Sequence, residues 1–142
     1  MSVAQPRSGK TVAMDLTAVI DAATAARGRA YAPYSGFRMG AAVLTDGGSV
    51  VSGALVENVS LGLAMCAERV ALFSAVVTGE RPIALVLVSR RTDGRVTFPC
   101  GACLQVALEL GGPDLEVAAV TPDRVVERVP LAALLPRGPR KD

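Results

Sequence analysis

Two short segments hold every cysteine of this 142-residue chain, Cys66-Ala67-Glu68 and Pro99-Cys100-Gly101-Ala102-Cys103, and the chain has no histidine. Cys100 lies 34 residues beyond Cys66, so any chemistry common to the two segments must be assembled by the fold. Cys100 and Cys103 are three apart, which puts both thiols on one side of a helical turn or tight loop, within reach of one ion. That spacing by itself also fits a redox dithiol, and three free cysteines also fit three buried apolar thiols. The exhaustive match of all three cysteines to two segments of parallel design favours a metal. Each segment runs into an apolar helical pattern, Val70, Ala71 and Phe73 after the first, Val106, Ala107 and Leu110 after the second. Both helix N-termini then face the ion, where free amides and the helix dipole favour thiolate over thiol. Three thiolates with no fourth protein ligand leave one coordination position for water, the pattern of a catalytic zinc rather than a closed structural one. Glu68 supplies the proton acceptor such a water needs.

The length suits one domain with a proper core. A hydrophobic fraction of 51% against 20% charged residues is apolar for a monomer of this size, so apolar surface is expected to be covered by other copies of the chain. A net charge of +2 comes largely from the two ends, Arg7 and Lys10 in front and Arg137, Arg140 and Lys141 behind. The interior lacks the aromatic and basic interleaving that tracks nucleic acid, so no nucleic-acid partner is expected. The cysteine usage points to a reducing, cytoplasmic compartment. The lack of a leader-like start or an 18-residue apolar run points away from secretion and from the membrane.

Residues 1–12 read as a flexible N-terminal arm, 13–136 as the domain and 137–142 as a basic C-terminal tail. Asp15 is a candidate N-cap for a helix with Leu16, Val19, Ile20, Ala23 and Ala26 on one face, ending near Gly28. Tyr31-Ala32-Pro33-Tyr34-Ser35-Gly36 is turn-like, and a strand is expected from Phe37 to Leu44. Asp46-Gly47-Gly48 signals a hairpin into a second strand, Val50 to Val56. A helix is expected from Cys66 to about Thr78, closed by Gly79. The apolar run Ile83 to Val88 reads as a strand covered on both faces. The second cysteine segment opens a helix that stops at Gly111-Gly112-Pro113. Glu116 to Val120 and Val125 to Val129 read as strands, with a final partial turn from Leu131 to Leu135. This order is a mixed sheet layered with helices.

From residue 14 to 136 the chain resembles the small, homotetrameric, zinc-dependent cytidine deaminases. The motifs that carry the likeness are Tyr31-Ala32-Pro33-Tyr34-Ser35-Gly36-Phe37 with Gly40-Ala41-Ala42, Glu57-Asn58-Val59-Ser60 with Gly62-Leu63, Cys66-Ala67-Glu68-Arg69, and Pro99-Cys100-Gly101-Ala102-Cys103 with Gln105. The C-A-E segment is the all-thiolate version of the H-x-E signature of zinc deaminases. The resemblance implies a three-layer αβα sandwich around a five-stranded mixed sheet, one zinc per subunit, and pockets completed by neighbouring chains. It implies that Cys66, Cys100 and Cys103 hold the metal and that Glu68 shuttles protons between water, N3 of a cytosine ring and the departing ammonia. Phe37 resembles the residue that packs on the pyrimidine, Glu57 the acceptor for the ribose 3′-hydroxyl, and Ala67 a further substrate contact. Arg69 and Gln105 are assigned to the surroundings of the metal, Arg69 offsetting the charge of three thiolates.

The chain departs from its relatives at the sugar end. Leu55 stands where most relatives have asparagine, Leu61 where they have a tyrosine that reaches across a subunit boundary, and Leu104 where an arginine usually follows the last cysteine. A leucine cannot pair a sugar hydroxyl, and leaving one buried and unpaired costs about 1–3 kcal/mol. The expected activity is hydrolytic deamination of cytidine, deoxycytidine or a related cytosine nucleoside to the uracil form. The alternatives are a sugar-modified nucleoside, a nucleoside antibiotic or a free aminopyrimidine as substrate, or a silent zinc-stabilised scaffold. Glu68 argues against the scaffold, since a purely structural site has no use for a carboxylate beside an open position.

Overall fold

The computed structural model describes residues 14–141, so the expected arm at 1–12 lies outside the described residues. The helix expected after Asp15 is α1 (Thr17–Arg27), with Val19, Ile20 and Ala23 buried. Asp15 sits one place ahead of the capping residue Leu16, and its carboxylate accepts the Thr17 N–H at 3.0 Å. That bond holds its carboxyl below the ordinary range.

The sheet is built from β1 (Met39–Thr45), β2 (Val50–Ala54), β3 (Pro82–Ser89), β4 (Glu116–Val120) and β5 (Val126–Pro130), in the order β2-β1-β3-β4-β5. Only β3 and β4 run parallel, linked through α3 (Gly101–Gly111), and every other neighbouring pair is antiparallel. Helix α2 (Ala67–Val76) crosses from β2 to β3, and the short α4 (Leu131–Leu134) follows β5. As its apolar run requires, β3 is buried on both faces.

Strand alternation divides the core into two layers. Ala42, Ala84, Val86, Val88, Ala118 and Val120 meet α1 through Leu16, Val19, Ile20 and Ala23. Ala41, Val43, Leu85 and Val117 point the other way, onto Leu72 and Ala75 of α2, Leu104, Ala107 and Leu108 of α3, and Leu131 of α4. The result is the αβα sandwich around a five-stranded mixed sheet. Two glycines let helices approach closely. A Cβ at Gly40 would lie 2.2 Å from Ala23 O of α1, and one at Gly53 would lie 2.5 Å from Ala71 N and 2.7 Å from Ala67 O of α2.

The elements differ from the expected ones mainly at their ends. The first strand starts at Met39 rather than Phe37, and β2 stops at Ala54, because Val56 leaves the ladder to bridge Tyr31 and Met65. A 3₁₀ turn at Leu61–Leu63 carried no sequence signal. The Asp93-Gly94 loop is a two-residue hairpin with both residues at positive φ, closed by a Thr92–Arg95 bridge. The tail contacts α3, since Pro139 O accepts from Gln105 and Gly138 packs near Leu108 and Leu135. Among the described residues no helix is long and apolar enough to cross a membrane.

Candidate active site

One end of the sheet collects the chemistry. Met39 pairs with Ser89 across β1 and β3, and Met39 O accepts the Leu55 N–H at 3.1 Å. Phe37, Val56-Glu57 and Arg90 therefore leave the sheet at the same end. The Val56–Met65 bridge brings the start of α2 there as well, and the loop after β3 returns through Pro99 to the start of α3.

Cys66 is the N-cap of α2 and Cys100 the N-cap of α3, each with extended backbone, and neither side chain caps its own helix. Cys103 follows in the first turn of α3. The three sulfurs lie within 4.8 Å of one another, and Cys100 and Cys103 are 3.6 Å apart. Zn–S bonds of about 2.3 Å in a tetrahedron require sulfurs about 3.8 Å apart, so the trio has the dimensions of a single zinc site. Cys103 is buried, Cys66 half-buried and Cys100 exposed, so the site has an open side. The donor set fits zinc: three soft thiolates at two helix N-termini, with no fourth cysteine and no histidine in the chain.

Glu68, in the first turn of α2, is 1% exposed, and its Oε1 has no hydrogen-bond partner among the described residues. Burial pushes its carboxyl up to about 7, and the charge on Cys66 adds to the rise. A buried, unpaired acceptor is costly in a fold and characteristic of a working site. Arg69 donates from Nη2 to Cys66 Sγ at 3.5 Å. The Cys66 thiol is pulled down to about 5, first by a hydrogen bond from Cys103 and then by Arg69. Cys103 moves the other way, because it is the partner that keeps its proton. Leu104 is buried in the core, where it offers the sulfurs no charge.

On the substrate side the expected residues part company. Phe37 is half-buried, and the Arg90 guanidinium lies over its ring, 4.4 Å from the centroid. Glu57 grips the preceding loop: it accepts from the Tyr34 and Ser35 N–H groups and from Ser35 Oγ, and Ser35 Oγ in turn accepts the Phe37 N–H at 3.0 Å. Those bonds lower its carboxyl and leave about one lone pair for a ligand. Leu55 packs against the core, and Leu61 stands 85% exposed on the 3₁₀ turn of the single chain. Ala67 is fully buried between α2 and the sheet, where Gly53 lets the first turn of α2 lie close on β2. Gln105 donates to Pro139 O of the tail at 2.9 Å. Arg90 and Gly53 went unnoticed in the sequence, since neither belongs to a periodic pattern and each acts through a partner on another element.

The comparisons agree with this geometry. A family profile described as "Cytidine and deoxycytidylate deaminase zinc-binding region" matches residues 14–119. A cytidine deaminase of Mycobacterium tuberculosis is 46% identical over 121 residues, 84% of this chain and 90% of its own length. A probable cytidine deaminase of Dictyostelium discoideum is 43% identical over 122 residues, 86% of this chain and 82% of its own. The crystal structure of a cytidine deaminase from Burkholderia pseudomallei superposes with a TM-score of 0.80 at 48% identity, covering 88% of this chain and 99% of that one. The zinc-sized cysteine trio, the buried glutamate beside it and these likenesses agree: the chain belongs to the cytidine and deoxycytidylate deaminase family.

Proposed function

We propose that the chain hydrolyses the C4 amino group of cytidine or deoxycytidine, giving the uracil nucleoside and ammonia. The observation that carries this reading is the Glu68 carboxyl, buried and unpaired at Oε1 beside three convergent thiols. Cys66, Cys100 and Cys103 would hold one zinc, which when bound supplies the Lewis acidity that brings a water proton within reach at neutral pH. Glu68 takes that proton and delivers it to N3 of the ring, which leaves C4 electron-poor. The water oxygen bonds to C4, and the same carboxylate then takes the remaining proton from that oxygen and passes it to the amine, which leaves as ammonia when the C4–N bond breaks. Arg69 holds Cys66 as thiolate, and Phe37 offers an apolar surface for the pyrimidine.

A sugar-altered cytosine nucleoside is the second reading. It is favoured by Leu55 and Leu61, neither of which can pair a sugar hydroxyl. Both readings are tested by following ammonia release from zinc-loaded protein over cytidine, deoxycytidine, cytosine, methylated cytosines and sugar-modified nucleosides. Release from a cytosine nucleoside that stops in Glu68→Gln is the expected result, and silence over the whole series would defeat the assignment.

A homotetramer with shared pockets is supported by apolar side chains left bare on the single chain. Tyr31, Tyr34, Val59, Leu61 and Leu63 cluster around the Glu57 loop, and Phe73, Val76 and Val77 line the outer face of α2. Light scattering at micromolar concentration should give four times 14.6 kDa, and a monomer mass would overturn shared pockets. Three free thiols accord with a cytoplasmic location.

A further inference from the structure

Phe37 is held from two directions. On the backbone side, Glu57 fixes Ser35, and Ser35 Oγ accepts the Phe37 N–H. On the ring side, Arg90 follows directly on the end of β3: the Met39–Ser89 pairing sets it beside the approach to β1, and its guanidinium covers the ring 4.4 Å from the centroid. The Arg90 main chain is itself tied down, because its carbonyl accepts from Ser89 Oγ at 3.1 Å and from Thr97 Oγ1 at 2.8 Å. Thr97 in turn pairs with Thr92 at 3.0 Å, at the neck of the Asp93-Gly94 hairpin. Among the described residues the Arg90 guanidinium forms no ion pair, unlike Arg91, Arg124 and Arg128. The aromatic face is the partner that orients it.

We propose that Arg90 is a positioning residue for the substrate base: by capping one face of Phe37 it fixes the ring plane, leaving the other face and the edge for the pyrimidine. This rests on the deaminase reading above, in which Phe37 meets the base. A half-buried phenylalanine without such a cap samples more than one ring orientation, and ordering it then falls on the incoming ligand. The contact is between a cation and an aromatic face, so it needs both partners and survives in part when lysine replaces arginine.

The test measures cytidine affinity by calorimetry in the zinc-loaded Glu68→Gln background, where no turnover intervenes. Arg90→Met keeps an apolar stem of similar reach and should weaken binding two- to fivefold, the range open to an exposed cation–aromatic contact. Arg90→Lys should recover part of that loss, with melting temperature and zinc content unchanged in both. Independently, the Arg90 Nε proton should show an upfield ring-current shift in the NMR spectrum of the parent protein that disappears in Phe37→Leu. Equal cytidine affinity with and without Arg90, or an Arg90 signal indifferent to Phe37→Leu, would overturn the proposal. Cytidine that binds in this Arg90-dependent way to a parent protein releasing no ammonia would overturn the deaminase reading and leave the role of Arg90 standing. Failure of cytidine and of every other cytosine nucleoside in the series to bind either form overturns both.

Discussion

The Arg69 guanidinium reaches back one turn of α2 to the Cys66 sulfur at 3.5 Å, so the residue that opens the helix and the cation three places later act as one unit. With Leu104 buried, Arg69 is the cation the structure sets directly on a sulfur of the trio. Arg69→Gln should let the Cys66 thiol rise from about 5 toward its ordinary value and weaken zinc binding at neutral pH about 10- to 100-fold. Competition with a chromophoric chelator measures this, and unchanged affinity would show that Arg69 is dispensable to the thiolates.

Zinc should load at one ion per chain and release protons as it binds. In the metal-free chain Cys66 titrates near 5 and is already ionised at pH 7, whereas Cys103 keeps its proton. At least one proton per zinc is expected, and apparent affinity should rise with pH. Calorimetry in buffers of different ionisation enthalpy counts the protons, and a count of zero would contradict the assigned thiol states.

Glu68→Gln should retain zinc and lose turnover by at least about 100-fold, since the carboxylate moves protons and does not hold the metal. The same change should stabilise the metal-free fold. Unfolded, this glutamate titrates near 4.5; folded, near 7, so the folded state binds its proton more tightly and stability falls as pH rises between those values. Above pH 7 the variant should gain about 2–3 kcal/mol over the parent, and below about pH 4.5 the two should converge. Chelator-treated protein unfolded in urea at pH 8 and at pH 4 provides the comparison.

Gly53→Ala should weaken both the fold and the metal site. The new methyl would meet α2 backbone at Ala71 N and Ala67 O, and that backbone can yield only by shifting the turn that carries Cys66 and Glu68. A loss of about 1–3 kcal/mol is expected, together with weaker zinc binding. Gly62→Ala, whose Cβ meets nothing within 4 Å, is the control and should change neither.

Cytidine should show a high KM, because the two sugar-end leucines offer no hydrogen bond. Leu61→Tyr should lower that KM by a factor set by one recovered hydrogen bond, about 0.5–1.5 kcal/mol, with kcat little changed. Leu55→Asn carries a stability cost, since Leu55 packs against the core. Steady-state kinetics decide the matter: a parent KM in the ordinary micromolar range would mean that the leucines do not shape substrate choice.

What the sequence by itself determined was local. The spacing of Leu16, Val19, Ile20 and Ala23 marked the buried face of α1, and the run Ile83 to Val88 marked a strand covered on both sides. The two cysteine segments announced helix N-termini, because small residues around a thiol followed by an apolar period describe a single turn of chain. Tertiary structure decided what depends on pairs. The convergence of Cys66 with Cys100 and Cys103 requires α2 and α3 on the same face of the sheet, and the burial of Glu68 and Ala67 requires a glycine on β2 beneath α2. Gln105 faces the tail and Arg90 caps Phe37 for the same reason: the partner of each is set by packing or strand register across 34 or more residues, and hydrophobic periodicity carries no record of a partner that far along the chain.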